Sequence, residues 1–314
     1  MDALIGARVS VRQRVGERAG RPLYSDSVGD LTHSDDGLVV HTRRGPVRID
    51  PDAVVAVRAV PPAVPKRASL AAVAALETLC ADAWPALVDE QLGAWRLRAA
   101  DGFTGRANAA LAIGDPGMPV PAALDAVRAF AARAGIGPRV QAPIDSPWDR
   151  AVQRAGWVLD VAHAAGSESA VMVADLDVLA AQPVPLPVEL PLRPSDDWFG
   201  SPPSSAARHV LDPGGTPTTA FALVRDPDAG VVGRMRACVV ADHLHVSVLE
   251  VEPAARGRGL GTGLMAAAAT WGREQGARWA VLQVALHNTR ARALYTRLGM
   301  VTHHQYRYLV PESE

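Results

Sequence analysis

Residues 251–262 read Val-Glu-Pro-Ala-Ala-Arg-Gly-Arg-Gly-Leu-Gly-Thr. A Val-rich run over 244–252 enters this turn and an apolar-periodic run over 260–275 leaves it. The segment is therefore a strand, a glycine-rich turn and the opening of a helix. The first N–H groups of a helix have no partner inside it and point back into the turn. With the positive end of the helix dipole they make an anion site suited to a pyrophosphate. Gly257, Gly259 and Gly261 let the backbone approach the anion with no Cβ in the way, and Arg256 or Arg258 adds charge.

Several folds use such a corner, and a plain turn before a surface helix stays open on this segment alone. A dinucleotide fold wants an acidic residue about 20 positions on, at the end of the next strand. Here that strand, 279–286, runs into Ala285-Leu286-His287 and carries no acid. A nucleotide P-loop wants Gly-Lys-Ser or Gly-Lys-Thr, which is absent. What remains is Arg-x-x-Gly-x-Gly, spelled by Arg256, Gly259 and Gly261. Downstream, Asn288 is placed to cap a helix over 289–298. Ala291, Leu294, Tyr295 and Leu298 share one face of it, and Gly299 stops it.

On these two segments the sequence resembles the GNAT N-acetyltransferase superfamily, with Met300 where the family usually has Phe. The resemblance implies acetyl-CoA as cosubstrate, held where strands 244–252 and 279–286 splay apart. Backbone groups freed by the splay would bind the pantetheine arm as an added strand. Leu249 and Val251 would flank it, the Val251 N–H stabilising the oxyanion. Arg256, Gly257, Arg258, Gly259, Leu260, Gly261 and Thr262 would hold the pyrophosphate. Asn288 would contact the pantetheine region, and Tyr295 would protonate the departing thiolate. For the base, the strand offers Glu250 and His245, the latter expected on the same pleat face as Val251. No metal is implied. Each residue also has a plainer reading: a core aromatic for Tyr295, a solvated carboxylate for Glu250, an exposed imidazole for His245.

Proline clusters at Pro61, Pro62 and Pro65 and at Pro183, Pro185, Pro187 and Pro191 divide the chain into 1–62, 68–181 and 188–314. The first part reads as five short strands, 7–14, 27–32, 38–42, 47–49 and 54–60, resembling a small SH3-like barrel. The second has helices over 70–80, 121–134 and 147–155, strands near 95–98, 104–113 and 139–144, and a strand pair within 158–176. The third adds strands at 188–193, 220–225, 233–241 and around 306–309, and a helix at 206–210. Order in the second part matches much of the third, and Gly156-Trp157 resembles the end of the family's last helix. Yet its corner, 114–120, lacks the glycine pattern, and Pro116, Pro119 and Pro121 remove donors that a phosphate would need. The expected fold is thus an α/β tandem with a mixed sheet, a degenerate first copy shaping the substrate cleft, and a small all-β unit in front. The whole resembles a group of actinobacterial acetyltransferases of that build.

A net charge of -1 gives no pull toward nucleic acid or anionic lipid. No apolar run approaches the ~20 residues that span a bilayer, and the start lacks a signal-type stretch, so the chain is expected in the cytoplasm. Cys80 and Cys238 read as reduced core thiols. The expected acceptor is a primary amine of a small molecule or peptide, with Asp196, Asp197, Trp198 and His209 expected on its side of the cleft. Two alternatives remain: protein-lysine acetylation with the barrel recruiting the target, and an acyl-CoA sensor that transfers nothing. Oligomeric state is open.

Overall fold

Val-rich runs near the start become strands because β-branched residues pack well on a pleated, half-buried surface. In the computed structural model, which describes residues 4–34, 37–42, 45–60, 68–215 and 217–312, the chain divides into two compact units, 1–66 and 67–314. The first unit holds β1 (Arg8–Arg18), β2 (Arg21–Ser34), β3 (Gly37–Thr42), β4 (Gly45–Ile49) and β5 (Val54–Ala59). They form one antiparallel sheet in the order β4-β3-β2-β1-β5 over a core of Val9, Val11, Leu31, Leu38, Val40 and Ile49. β1 and β2 run longer than the sequence suggests, because Ala19 and Gly20 close a two-residue hairpin turn at φ 52° and 73°. An alanine there gives no turn signal. The turns expected at Ser34-Asp35-Asp36-Gly37 and Arg44-Gly45-Pro46 lie partly outside the described residues, and the proline cluster 61–65 wholly so.

The second unit takes in both 68–181 and 188–314, because their strands share one eleven-stranded sheet. In chain order it begins with α1 (Leu70–Ala83), β6 (Val88–Leu92), β7 (Trp95–Ala99), β8 (Ala110–Leu111), α2 (Val120–Arg133), β9 (Val140–Pro143) and α3 (Pro147–Arg154). It continues with β10 (Trp157–Leu159), β11 (Glu168–Asp175), α4 (Leu176–Ala180), α5 (Asp196–Phe199), α6 (Ser205–Leu211), β12 (Thr218–Asp226) and β13 (Gly230–Val240). The last elements are β14 (His243–Val251), α7 (Leu260–Glu274), β15 (Trp279–Ala285), α8 (Thr289–Arg297) and β16 (Val301–Pro311).

The sheet order is β12-β13-β14-β15-β11-β16-β9-β8-β7-β6, with β10 on β16. Each half has one parallel pair, β8 with β9 and β14 with β15. Each half also gives its last strand to the other: β11 lies on β15 and β16 lies on β9. The two exchanged strands pair with each other at the centre. The expected strand pair within 158–176 is therefore no hairpin; β10 and β11 both seek β16.

Two expected strands are not formed as such. Within 104–113 only Ala110–Leu111 is strand. The Asn108 side chain accepts from the N–H groups of Ala100 and Gly102 and donates to the carbonyls of Phe103 and Thr104. Those bonds compete with a ladder and hold a loop, with Asp101 and Thr104 at φ 46° and 62°. At 188–193 only Glu189 bridges to Leu223, since Pro187 and Pro191 bring no N–H.

Candidate active site

β14 passes through a 3-10 turn, Pro253–Ala255, into α7. Gly257 and Gly259 sit at φ 82° and 78°, a left-handed backbone open to glycine. Gly259 is the N-cap of α7 and brings no side-chain cap. The helix's first backbone bond runs from the Gly263 N–H to the Gly259 carbonyl, so the N–H groups of Leu260, Gly261 and Thr262 are left to point outward. A Cβ added at Gly257 would meet nothing within 4 Å, which leaves the seat open. The arginines around it are partly engaged. Arg256 Nε donates to the Val251 carbonyl at 3.0 Å, and Arg258 donates to Asp226 Oδ2 at 3.2 Å. α7 is fixed behind this seat by Leu260, Leu264, Met265, Ala268 and Ala269 in the largest core cluster.

β14 and β15 are paired only from His243/Trp279 to Val246/Leu282. Beyond that point they part, and their facing edges have no ladder partner. A register shift in the β13–β14 ladder, between Arg234/Glu250 and Arg236/Ser247, marks a bulge, and Val248 sits in it at φ 53°. A β-branched residue at positive φ is strained and persists only where its surroundings hold it. The bulge also reverses the pleat. Before it, Leu244 and Val246 pack into the core beneath α7; after it, Leu249 and Val251 do.

That reversal corrects the expectation for His245. It lies on the face opposite Val251, fully buried against Cys238 and Val281 neighbours, and lines no part of the cleft. Neither ring nitrogen makes a hydrogen bond of good geometry, although the Gln283 side chain, whose Oε1 accepts from Arg106 at 2.6 Å, lies close by. Burial, helped by Arg106 and Arg236, holds its pKa well below the usual histidine value.

The parted strands open a cleft of about 870 Å³. Leu249, Val251, Arg256, Gly257, Gly259 to Thr262, Asn288 and Tyr295 line it, and so does Glu250, now on the face opposite α7. The Arg258 side chain, expected at the pyrophosphate, is instead turned to Asp226 and is not in the lining. Glu250 is exposed and bound by Arg234, whose Nη2 and Nε reach Oε2 at 2.7 and 3.0 Å. Asn288 caps α8 as expected, its Oδ1 accepting from the Ala291 N–H at 3.1 Å. Tyr295 is 7% exposed, and burial pushes its hydroxyl up to about 12. It stays protonated through neutral pH, the state that can donate.

Sequence reasoning missed Ser247, Arg106 and Gln283 at the inner end of the cleft. Ser247 Oγ is buried with no partner. Arg106 comes from the first half and stacks over Trp84 at 4.6 Å. Only the sheet exchange brings it there, and no local pattern foretells it. By contrast Asp196, Asp197, Trp198 and His209 stay out of the cleft lining. Trp198 is core, and Asp197 pairs with Arg225. Among the described residues no group of three or more His, Cys, Asp or Glu is placed to hold a metal, and no helix is long and apolar enough to cross a membrane.

A mixed sheet whose parallel strands part beside a glycine-capped helix N-terminus is the frame of a GNAT acetyltransferase. The chain belongs to the family described as "Probable histone acetyltransferase Rv0428c C-terminal", which matches residues 70–309. It is 30% identical, over 98% of its own length and 96% of the relative's, to the probable histone acetyltransferase Rv0428c of Mycobacterium tuberculosis. Among solved structures it is similar to a GCN5-related N-acetyltransferase from Kribbella flavida, with TM-score 0.57, 18% identity, 77% of this chain and 96% of that one covered. It is similar also to a tandem GNAT protein from the clavulanic acid biosynthesis pathway, with TM-score 0.52, 14% identity and 80% and 88% coverage.

Proposed function

We propose that the chain is an acetyl-CoA-dependent N-acetyltransferase acting by direct attack of a primary amine of a small molecule or peptide. The observation that carries this is the meeting, in one cleft, of free amides at 260–262, the parted strands and a protonated Tyr295. Amides of Gly257 to Thr262 would hold the diphosphate, with Arg256 beside them. The unladdered edge of β14, Leu249 to Val251, would pair with the pantetheine amides, and Asn288 would close over them. Acetyl-CoA supplies the activated thioester.

The chain's residues then handle the protons and the charge. The Val251 N–H faces the carbonyl oxygen as it gains charge. Glu250, in the cleft and on the acceptor face, takes the proton that the amine nitrogen must lose. A C–N bond forms, the C–S bond breaks, and Tyr295 Oη gives its proton to the thiolate. His245, shut in the core, has no part in this reading. The first unit, with its five antiparallel strands, is read as an SH3-like barrel.

A second reading, protein-lysine acetylation with that barrel recruiting the target, is favoured by the name of the Mycobacterium tuberculosis relative, a probable histone acetyltransferase. Thiol release from acetyl-CoA across a metabolite-amine panel and a lysine-peptide panel tests both. Turnover of metabolite amines supports the first reading and turnover confined to lysine peptides the second. Tight acetyl-CoA binding with no turnover of either would leave a sensor.

A further inference from the structure

A second cavity, of about 440 Å³, shares Arg106, Gln283 and Ala285 with the cleft. Its position follows from the pleat. Gln283 and Ala285 lie on one face of β15, and the register sets Ala285 beside Ser169 and Ser169 beside Tyr306. These residues and Tyr308 face the first half, away from α7. The main cleft is lined by Leu282 and Val284 as well as by Gln283 and Ala285, so it passes between the parted strands from one face to the other. The second cavity therefore begins where the thioester would end.

Its chemistry is one-sided. Arg106, Arg139 and His163 line it, with Thr104, Ser169, Tyr306 and Tyr308, and no Asp or Glu does. Arg139 is held from behind: its Nε donates to Asp160 at 2.8 Å, and its guanidinium lies 5.8 Å from the centre of the Tyr308 ring. Asp160 is itself buried and is not in the lining, so it positions Arg139 without opposing it inside the cavity. His163 stacks on the same Tyr308 ring at 4.5 Å, and its buried Nδ1 has no partner. Arg106 spends one Nη on Gln283. The remaining guanidinium donors meet no carboxylate in the wall. A fork of N–H donors in a partly desolvated wall suits a carboxylate, which accepts bidentately.

We infer that this cavity seats the carboxylate of the acceptor, so that the substrate is a small amine bearing its own carboxylate rather than a polycationic peptide tail. The volume falls in the range of small-molecule sites. The inference rests on the acetyl-transfer reading of the neighbouring cleft. Two guanidiniums in the wall disfavour a lysine-rich strand, whereas an amino acid brings its negative end to them and its amine toward Gln283 and Ser247.

The test uses the full chain with acetyl-CoA and the common amino acids, each beside its carboxamide, together with spermidine and a lysine-rich peptide. Thiol release is followed at saturating acetyl-CoA. At least one amino acid is expected to turn over with a KM roughly tenfold below that of its carboxamide. Arg139→Gln is expected to erase that difference by raising the KM of the acid alone, with kcat little changed. Because the variant also loses its hold on Asp160, the acid–amide comparison in the unaltered protein stands as an independent check. Equal KM for acid and amide, or efficient acetylation of spermidine or the peptide, would overturn the inference and leave the acetyltransferase reading intact. If nothing turns over, calorimetry of the same pairs decides. Carboxylate-dependent binding lost in Arg139→Gln keeps the cavity assignment while the transferase reading falls, and no such binding removes both.

Discussion

The two halves of the second unit carry the same corner, a parallel strand pair with a helix between its strands, and treat it in opposite ways. In the second half, α7 opens on Gly259 with its first amides free. In the first half, α2 opens on Pro119, has Pro121 in its first turn, and makes no side-chain cap. There the Gly117 N–H already donates to Asp115 Oδ1 at 2.8 Å, and the Asp115 carbonyl takes the Ala94 N–H at 2.7 Å. The first corner thus spends the Gly117 amide on its own carboxylate, and Pro116, Pro119 and Pro121 bring no N–H at all. A fold supplies a helix N-terminus to each half; which amides remain unspent decides whether that end can bind anything.

Gly259→Glu tests this contrast most strongly. The new carboxylate faces the seat and displaces at least two charge-assisted hydrogen bonds, so acetyl-CoA affinity should fall on the order of 100-fold or more. Gly117→Glu is its partner. Gly117 has φ 77° and Gly259 φ 78°, so both substitutions carry a similar left-handed penalty of about 1–2 kcal/mol. Calorimetric titration should show binding lost in the first and kept in the second, with thermal unfolding lowered similarly in both. Comparable affinity in the two variants would mean that the corners do not differ as described.

Next comes the phenol. α3, the counterpart of α8, runs Pro-Trp-Asp-Arg-Ala-Val-Gln-Arg and has none. Tyr295→Phe should lower kcat about 10²-fold, the usual worth of a positioned acid, with the KM for acetyl-CoA near its original value. With the hydroxyl raised to about 12, the activity profile should show no deprotonation of this group up to about pH 10. An unchanged kcat in the variant would assign the thiolate's proton to water.

The exchange of β11 and β16 makes a further contrast measurable. Leu264 on α7 and Leu124 on α2 are both buried, at 0% and 1% exposure, in separate core clusters. Truncation to alanine should cost about 2–5 kcal/mol at either place. Since each half's sheet is completed by the other half's strand, both losses should shift one unfolding transition of 67–314. Two transitions in denaturant, each answering to only one substitution, would show that the halves unfold apart.

What the sequence revealed tracks how local each cause is. The 256–261 corner, the Asn288 cap and the one-faced spacing of Tyr295 and Leu298 are written within a dozen residues, and the structure bears out their geometry. The strand exchange is invisible, because β11 and β16 have the same apolar composition whichever neighbour they take. The bulge at Val248 is equally silent, since nothing in His-Val-Ser-Val-Leu-Glu-Val announces a reversed pleat, and it moved His245 from cleft to core. Asn108 is the opposite case: one polar residue in an apolar run overrode the strand pattern around it. The second cavity is assembled from residues more than a hundred positions apart and has no sequence signature at all.

The smallest expected effect concerns two imidazoles, one in each half: the buried His245 and the half-buried His163. His245 is fully enclosed, while His163 borders a cavity. Burial is the first cause of a lowered pKa in both, with the larger shift at His245. Below about pH 6.5 the unfolded chain takes up a proton at each histidine that the folded chain resists. Stability is therefore full above that pH and declines as pH falls toward the depressed folded value, by at most about 1.4 kcal/mol per pH unit for one group. His245→Phe removes its share of that slope. Urea unfolding at pH 7.5 and 5.5 should find the variant gaining on the parent by about 1 kcal/mol at the lower pH. His163→Phe should gain less, because water reaches its ring. Parallel stability curves for parent and His245→Phe would show that this imidazole charges as easily in the fold as outside it, and the picture of a sealed core beneath the parting strands would be wrong.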